Sequence, residues 1–216
     1  MTDRLRLDRC VAFVDLAGFT ALTQAHGDEH AADVHDAFVR ALGHACDQAD
    51  GVVCVKHLGD GALLTSDTVP SMLAALLAGV RDQPDDELCL RVRAGVHVGP
   101  VLQVPSAHGP DVLGHTVNVA ARLCGLAAPG EILLSAEAAR SADGLRDQAR
   151  RLGPRSLRHI TDPVDVWALP LGAQGGLIDP VCHMTVRPGA LAASVGGQGW
   201  LFCSDDCLRT FLAAHG

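Results

Sequence analysis

At 216 residues and 48% hydrophobic composition, the chain has room for one domain of ordinary size with a buried core, plus a small appendix. A net charge of −8 with no block of Lys or Arg argues against nucleic acid or an anionic membrane surface as the main partner. With no Tyr, five Phe and two Trp, there is little aromatic surface for an RNA-binding sheet.

An apolar run over residues 10–14 ends at Asp15 and predicts a buried strand. Arg4, Arg6 and Arg9 ahead of it imitate a signal peptide, but Asp15 interrupts the run and no small-residue cleavage site follows. Residues 21–50 read as a helix, with Val34, Phe38, Leu42 and Ala45 on one stripe and Gly51 as the stop. Residues 52–55 and 62–65 flank a Gly-Asp-Gly turn and predict a hairpin. Pro70 opens a helix through Val80, whose apolar stretch is far shorter than the roughly 20 residues a membrane span needs. A cytoplasmic protein with no membrane partner is expected.

Leu90, Val92, Ala94 and Val96 alternate with Arg91, Arg93, Gly95 and His97, the pattern of a half-buried strand. Residues 101–104 predict a further short strand and residues 116–127 a helix. Ala128-Pro129-Gly130 turns into a strand over 131–134, Ser135 can cap a short helix, and residues 164–169 close the domain as a last strand. Helices and strands interleaved in this way predict a sandwich of helices on a mostly antiparallel sheet. Residues 1–170 form the main domain, residues 171–178 have linker composition, and residues 179–216 differ in character. Of the eight cysteines, Cys10, Cys46, Cys54, Cys89 and Cys124 sit singly in apolar segments, as core residues do, while Cys182, Cys203 and Cys207 form a group.

Three stretches carry chemistry: Val14-Asp15-Leu16-Ala17-Gly18-Phe19-Thr20, Lys56-His57-Leu58-Gly59-Asp60-Gly61, and Asp111-Val112-Leu113-Gly114-His115-Thr116-Val117-Asn118-Val119-Ala120-Ala121-Arg122. Taken singly, Asp15 reads as a turn or cap residue and Asp60 as a turn former. In this order and spacing, the three stretches resemble the class III nucleotidyl cyclases over roughly residues 10–169. The resemblance implies an α+β fold, a ferredoxin-like core extended by later elements. It also implies conversion of a nucleoside triphosphate to its 3′,5′-cyclic monophosphate.

Cyclisation brings the ribose 3′-oxygen onto the α-phosphorus as pyrophosphate leaves, chemistry suited to two hard divalent cations on fixed carboxylates. Asp15 and Asp60 match the family's metal aspartates, so two Mg2+ or Mn2+ per site are implied. Ala17, Gly18, Phe19 and Thr20, in the turn from strand to helix, offer backbone N–H groups to phosphate. Lys56 and Asp111 match the purine-selecting pair: a donor for adenine N1 and an acceptor for the N6 amine, which implies ATP. Asn118 and Arg122, one helical turn apart, match the pair that orients the ribose and neutralises the departing phosphates. Leu157-Arg158-His159 falls where the family usually has Leu-Lys-Gly, which puts Arg158 on the terminal phosphates. The resemblance further implies a head-to-tail homodimer, with the aspartates of one subunit facing Lys56, Asp111, Asn118 and Arg122 of the other. The short stretch 100–111 is expected to be a hairpin that wraps the partner.

Asp179-Pro180-Val181-Cys182-His183-Met184 and Trp200-Leu201-Phe202-Cys203-Ser204-Asp205-Asp206-Cys207 resemble a YHS module, related to treble-clef-like metal sites. Three thiolates favour Zn2+ or Cu+ over the catalytic ions, Ser204 can cap the helix that carries Cys207, and His183 is a candidate fourth ligand. Two other readings compete with an active adenylate cyclase: a silent cyclase-fold domain that binds nucleotide, and an RNA-binding ferredoxin-like domain. The complete polar set counts against the first, and the charge and aromatic content against the second.

Overall fold

The computed structural model describes residues 4–81, 91–107, 109–142, 144, 146–171, 177–186 and 189–215. Cys89 and Leu90 of the sequence reading, and residues 172–176 of the linker, lie outside them. The chain runs β1 (Leu5–Leu16), α1 (Phe19–His26), α2 (Asp28–Gln48), β2 (Val53–Leu58), β3 (Gly61–Ser66), α3 (Val69–Arg81), β4 (Val92–Ser106) and β5 (Gly109–Leu113). It continues through α4 (His115–Leu126), β6 (Glu131–Ser135), α5 (Ala136–Arg140), a 3-10 turn, β7 (Arg150–Arg155) and β8 (Val164–Pro170).

These strands form one eight-stranded sheet in the order β2-β3-β1-β4-β6-β8-β7, with β5 paired to the far half of β4. Only β4 and β6 run parallel; the other pairs are antiparallel. The alternation along β1 shows how the sheet is buried on both faces. Cys10, Ala12, Val14 and Leu16 pack with Val34, Phe38 and Leu42 of α2 and Met72, Leu73 and Leu76 of α3, whereas Val11 packs with Ala120 of α4. Helix α4 comes unusually close to β4. A Cβ on Gly95 would lie 2.1 Å from the Cys124 nitrogen and 2.4 Å from the Ala120 oxygen, so only glycine fits there.

Three local differences from the sequence reading have physical causes. The helix expected over 21–50 is two helices, because Gly27 at φ +85° turns the chain after His26. The two strands expected around Gly99-Pro100 are one 15-residue strand. Pro100 falls between Val96, where β6 stops pairing, and Leu102, where β5 begins, so on that edge no ladder bond is demanded of it. Strand β7 was not expected, since Arg150-Arg151 and Gly153-Pro154 carry no apolar alternation; it is a bulged edge strand pinned to β8 by an Arg151–Asp165 ion pair.

The C-terminal segment contains β9 (Leu177–Ile178), β10 (Thr185–Val186), β11 (Leu191–Val195), β12 (Gln198–Phe202) and α6 (Asp205–His215). Two small hairpins, β9 with β10 and β11 with β12, precede the helix. Phe211 of α6 lies against both Trp200 and Phe202 of β12, with ring centroids 5.1 and 5.2 Å apart. Cys182, Met184, Phe202, Cys207 and Phe211 belong to the same buried cluster as the core under α2 and α3, so the segment packs onto the main domain. Among the described residues no helix is long and apolar enough to cross a membrane.

Candidate active site and cysteine cluster

Asp15 stands near the end of β1, opposite Gly61 of β3 on one side and Arg93 of β4 on the other. The turn between β2 and β3 carries Asp60, whose backbone oxygen accepts the Leu16 N–H at 3.2 Å. The sheet therefore brings the two aspartates together. Burial raises the Asp15 carboxyl above its ordinary range, and the nearby Asp60 charge adds to this, while the Arg93 guanidinium pulls it back. That guanidinium reaches Asp15 Oδ2 through Nε at 2.8 Å and a terminal nitrogen at 2.5 Å. Arg93 escaped the sequence reading, where it was one polar position of an alternating strand. Two carboxylates, one near a strand end and one in the adjoining turn, the first part-buried and crowded by the second, are a donor set that suits a divalent cation.

The turn after Asp15 differs in one detail from expectation. Ala17 N–H is given to the Arg91 oxygen at 2.8 Å and is not available to a phosphate. Phe19 and Thr20 open α1 with first-turn N–H groups that have no intrahelical acceptor, and Gly18 precedes them in the left-handed conformation.

Lys56 on β2 and Asp111 on β5 meet directly, Nζ donating to Oδ2 at 2.6 Å. Burial works to raise the Asp111 carboxyl, but the bonds from Lys56 and from the Val112 N–H outweigh it and hold it below the usual range. The pair thus presents one cation and one ionised acceptor side by side. The stretch 100–111 does form a hairpin, with Ser106 paired to Gly109.

On α4, Thr116, Val119, Ala120, Leu123 and Cys124 face the sheet, which leaves Asn118 and Arg122 together on the exposed face. Arg158 is also exposed, in the loop after β7, where its Nε lies 3.1 Å from His159 Nε2.

Comparison with known proteins places the chain in a family. Residues 6–160 match the model of the adenylate and guanylate cyclase catalytic domain. The chain belongs to this family. An uncharacterized protein of Mycobacterium tuberculosis is 37% identical over 165 residues, spanning 74% of this chain and 40% of the relative. A pH-sensitive adenylate cyclase of the same organism is 33% identical, over 76% of this chain and 41% of that protein. The chain therefore spans about two fifths of the length of these relatives. Among solved structures, the adenylyl cyclase CyaB of P. aeruginosa superposes with TM-score 0.65 at 19% identity, over 80% of this chain and 98% of the other. The catalytic core of a rhodopsin-guanylyl cyclase with converted specificity, in complex with ATPαS, gives 0.68 at 18%, over 79% of this chain and 100% of that one. Both share the α+β cyclase fold.

The cyclase match ends before the cysteine segment, where the structure gathers a second cluster. The Sγ atoms of Cys182, Cys203 and Cys207 and a ring nitrogen of His26 all lie within 4.8 Å of one another. His26, the last residue of α1 in the cyclase domain, is not in the segment at all. His183, the candidate from sequence, is outside the cluster and packs against Gly18 instead. The signal that points to His26 is negative: three cysteines with no convincing fourth donor in their own segment. Burial and the neighbouring His30 hold His26 below the ordinary histidine value, so near neutral pH its ring is an unprotonated donor. Contact with Cys182, then burial, pushes the Cys203 thiol up, and burial pushes Cys207 up to about 12.

Proposed function

We propose that this cyclase-family chain converts ATP to 3′,5′-cyclic AMP and pyrophosphate, as a homodimer whose two sites are shared between subunits. The single observation that carries the ATP reading is the Lys56–Asp111 pair, bonded at 2.6 Å. An adenine edge can exchange for that bond, N1 accepting a hydrogen bond from Lys56 and the N6 amine donating one to Asp111. Guanine presents the reverse pattern at both atoms and would set donor against donor and acceptor against acceptor.

The shared site is supported by what one protomer leaves unfinished. Asp15 and Asp60 stand at one end of β1, while Asn118 and Arg122 lie on the outer face of α4, turned from the sheet. Leu58, Leu113 and Leu126 border these groups and are 44, 49 and 48% exposed, an apolar fringe that a second subunit would cover. In the composite site Asp15 and Asp60 would hold two Mg2+ or Mn2+ ions, which activate the 3′-hydroxyl and neutralise the triphosphate. Asn118 would orient the ribose, and Arg122 would meet the charge that grows as the bond between the α-phosphorus and the bridging oxygen breaks. The N–H groups of Phe19 and Thr20, with Gly18 allowing close approach, would cradle phosphate, and Arg158 would reach the terminal phosphates. Gain of the P–O bond to the 3′-oxygen balances loss of the one to pyrophosphate, and the 3′-hydroxyl proton passes to solvent.

The test is purified protein with ATP or GTP and Mg2+ or Mn2+, followed for cyclic product. Cyclic AMP in clear excess over cyclic GMP is expected. Comparable rates with both nucleotides would overturn the specificity, and no product from either would overturn the activity.

A further inference from the structure

The three cysteines come from three different turns. Cys182 follows β9, Cys203 follows β12, and Cys207 lies in the first turn of α6. One carboxylate organises the first two turns. Asp179, fully buried, accepts the N–H groups of Val181 at 2.8 Å and Cys182 at 3.3 Å on one oxygen and that of Cys203 at 2.7 Å on the other. The Ser204 hydroxyl caps α6 by accepting the Cys207 N–H at 3.2 Å. The sulfur atoms are thereby fixed by backbone bonds rather than by contact with one another.

Their spacing is that of a coordination shell. Cys203 Sγ lies 3.4 Å from Cys182 Sγ and 3.7 Å from Cys207 Sγ, and His26 Nε2 lies 3.5 and 3.8 Å from the sulfurs of Cys203 and Cys207. Around a tetrahedral zinc with bonds of about 2.3 Å to sulfur and about 2.0 Å to nitrogen, sulfurs stand about 3.8 Å apart and sulfur stands about 3.5 Å from nitrogen. Four side chains from four separate turns converge on that geometry, two of them, Cys182 and Cys207, with no exposed surface.

We propose that His26, Cys182, Cys203 and Cys207 bind one Zn2+, and that this ion clamps the C-terminal segment to α1 of the cyclase domain. The set of three thiolates and one imidazole leaves no open position, the mark of a structural site. Binding releases the protons the three thiols carry and leaves the site with one net negative charge. The clamp grips the stretch 18–26 at both ends. At the other end His183 presses on the turn before α1, where a Cβ on Gly18 would lie 2.7 Å from His183 Cβ. The ion thus holds the helix that begins at the proposed phosphate turn. That consequence for turnover rests on the cyclase reading; the metal site itself does not.

The experiment uses the full chain, reduced and stripped of metal, then titrated with Zn2+ against a competing chelator and separately with Co2+. One ion per chain is expected, with the intense visible bands of tetrahedral, thiolate-ligated Co2+ and a rise in melting temperature on Zn2+ addition. His26→Ala should weaken binding about a hundredfold or more, since loss of a mere partner to a ligand already costs 10–100-fold. His26→Cys, which restores a fourth soft donor, should bind Zn2+ again. His30→Ala and His183→Ala should bind as the parent does. A parent chain that takes up no Zn2+, or a His26→Ala chain that binds as tightly as the parent, overturns the site. So does a folded His26→Cys chain that stays empty, or loss of binding in His30→Ala or His183→Ala with His26→Ala intact. None of these readouts needs turnover, so an inactive protein that binds Zn2+ would defeat the cyclase proposal alone.

Discussion

Asp15 and Asp60 offer oxygen from a strand end and the adjoining turn and leave most of a cation's coordination open, whereas His26, Cys182, Cys203 and Cys207 close around a point with four donors. The first arrangement suits hard ions that arrive with a triphosphate and leave with pyrophosphate. The second suits a soft-ligand ion that stays. The surroundings differ too. Asp15 already holds Arg93, a charged partner that a second ligand must contend with, while the turns that carry the sulfurs are set by bonds to the buried Asp179 carboxylate and by the Ser204 cap. Incompleteness at the first site and closure at the second are what separate a site for turnover from a site for holding a fold together.

The largest effect should come from separating the two. Asp60→Asn removes an ionic metal ligand and should lower cyclase activity about a hundredfold or more, a loss of several kcal/mol of charge stabilisation. Zn2+ content should stay at the parent value in the same preparation, measured by elemental analysis. If Zn2+ content falls with activity, the two clusters are not independent and the contrast breaks down.

Mixing sharpens the incompleteness of the first cluster. Asp15→Ala and Asn118→Ala should each be inactive alone, because each damages both sites of its own dimer. Mixed in equal amounts with subunit exchange, half the dimers are hybrids and each hybrid regains one of two sites, so about one quarter of parental activity should return. Two well-folded variants that recover nothing together would mean that the site is not composite.

The two clusters were unequally legible in the sequence. Asp15, Asp60, Lys56 and Asp111 were readable because each lies within a short polar motif set in apolar strand or turn residues, and the sheet then brings both pairs together. Asn118 and Arg122 followed from the resemblance of the third stretch, and helical spacing added that they share a face. His26 was not readable. It precedes Cys182 by more than half the chain, sits in a helix expected to run unbroken through Gly27, and acquires its role only when the C-terminal segment docks. Arg93 was hidden for a related reason, since a strand alternation says that a position is polar and cannot say which carboxylate on the neighbouring strand it will face. Local pattern fixes what lies within one element, and contacts between distant elements are decided by topology.

A smaller effect is expected at the purine pair. Lys56→Ala removes one charged donor to the base and leaves Asp111 without its cation, so the preference for ATP over GTP, measured as the ratio of kcat/KM values, should fall about tenfold or more. Zn2+ binding should not change. An unaltered ratio would mean that another residue chooses the base.

The smallest effect should arise where a polar cluster belongs to neither site. His97 on β4 stands with its Nδ1 2.8 Å from the Ser135 hydroxyl, and Glu137 of α5 comes to 3.9 Å. Ser135 Oγ also accepts the Ala138 N–H at 3.3 Å to cap α5, and its hydroxyl lies beside both the His97 ring and the Glu137 carboxylate. Burial lowers the His97 pKa below 6.5; Glu137 opposes this, and His115 of α4 adds to it. The folded state therefore binds this proton less readily than the unfolded chain. Stability is unaffected well above 6.5, begins to fall as pH drops through that value, and goes on falling until the folded-state pKa is reached. His97→Gln keeps a polar side chain at Ser135 but cannot titrate, so the melting temperature of the parent should fall relative to that of the variant as pH drops through this window, with a constant offset above it and a new constant offset below it. His26 is present in both and cancels from the difference. Parallel melting curves across the whole range would show that His97 titrates alike in the folded and unfolded chains.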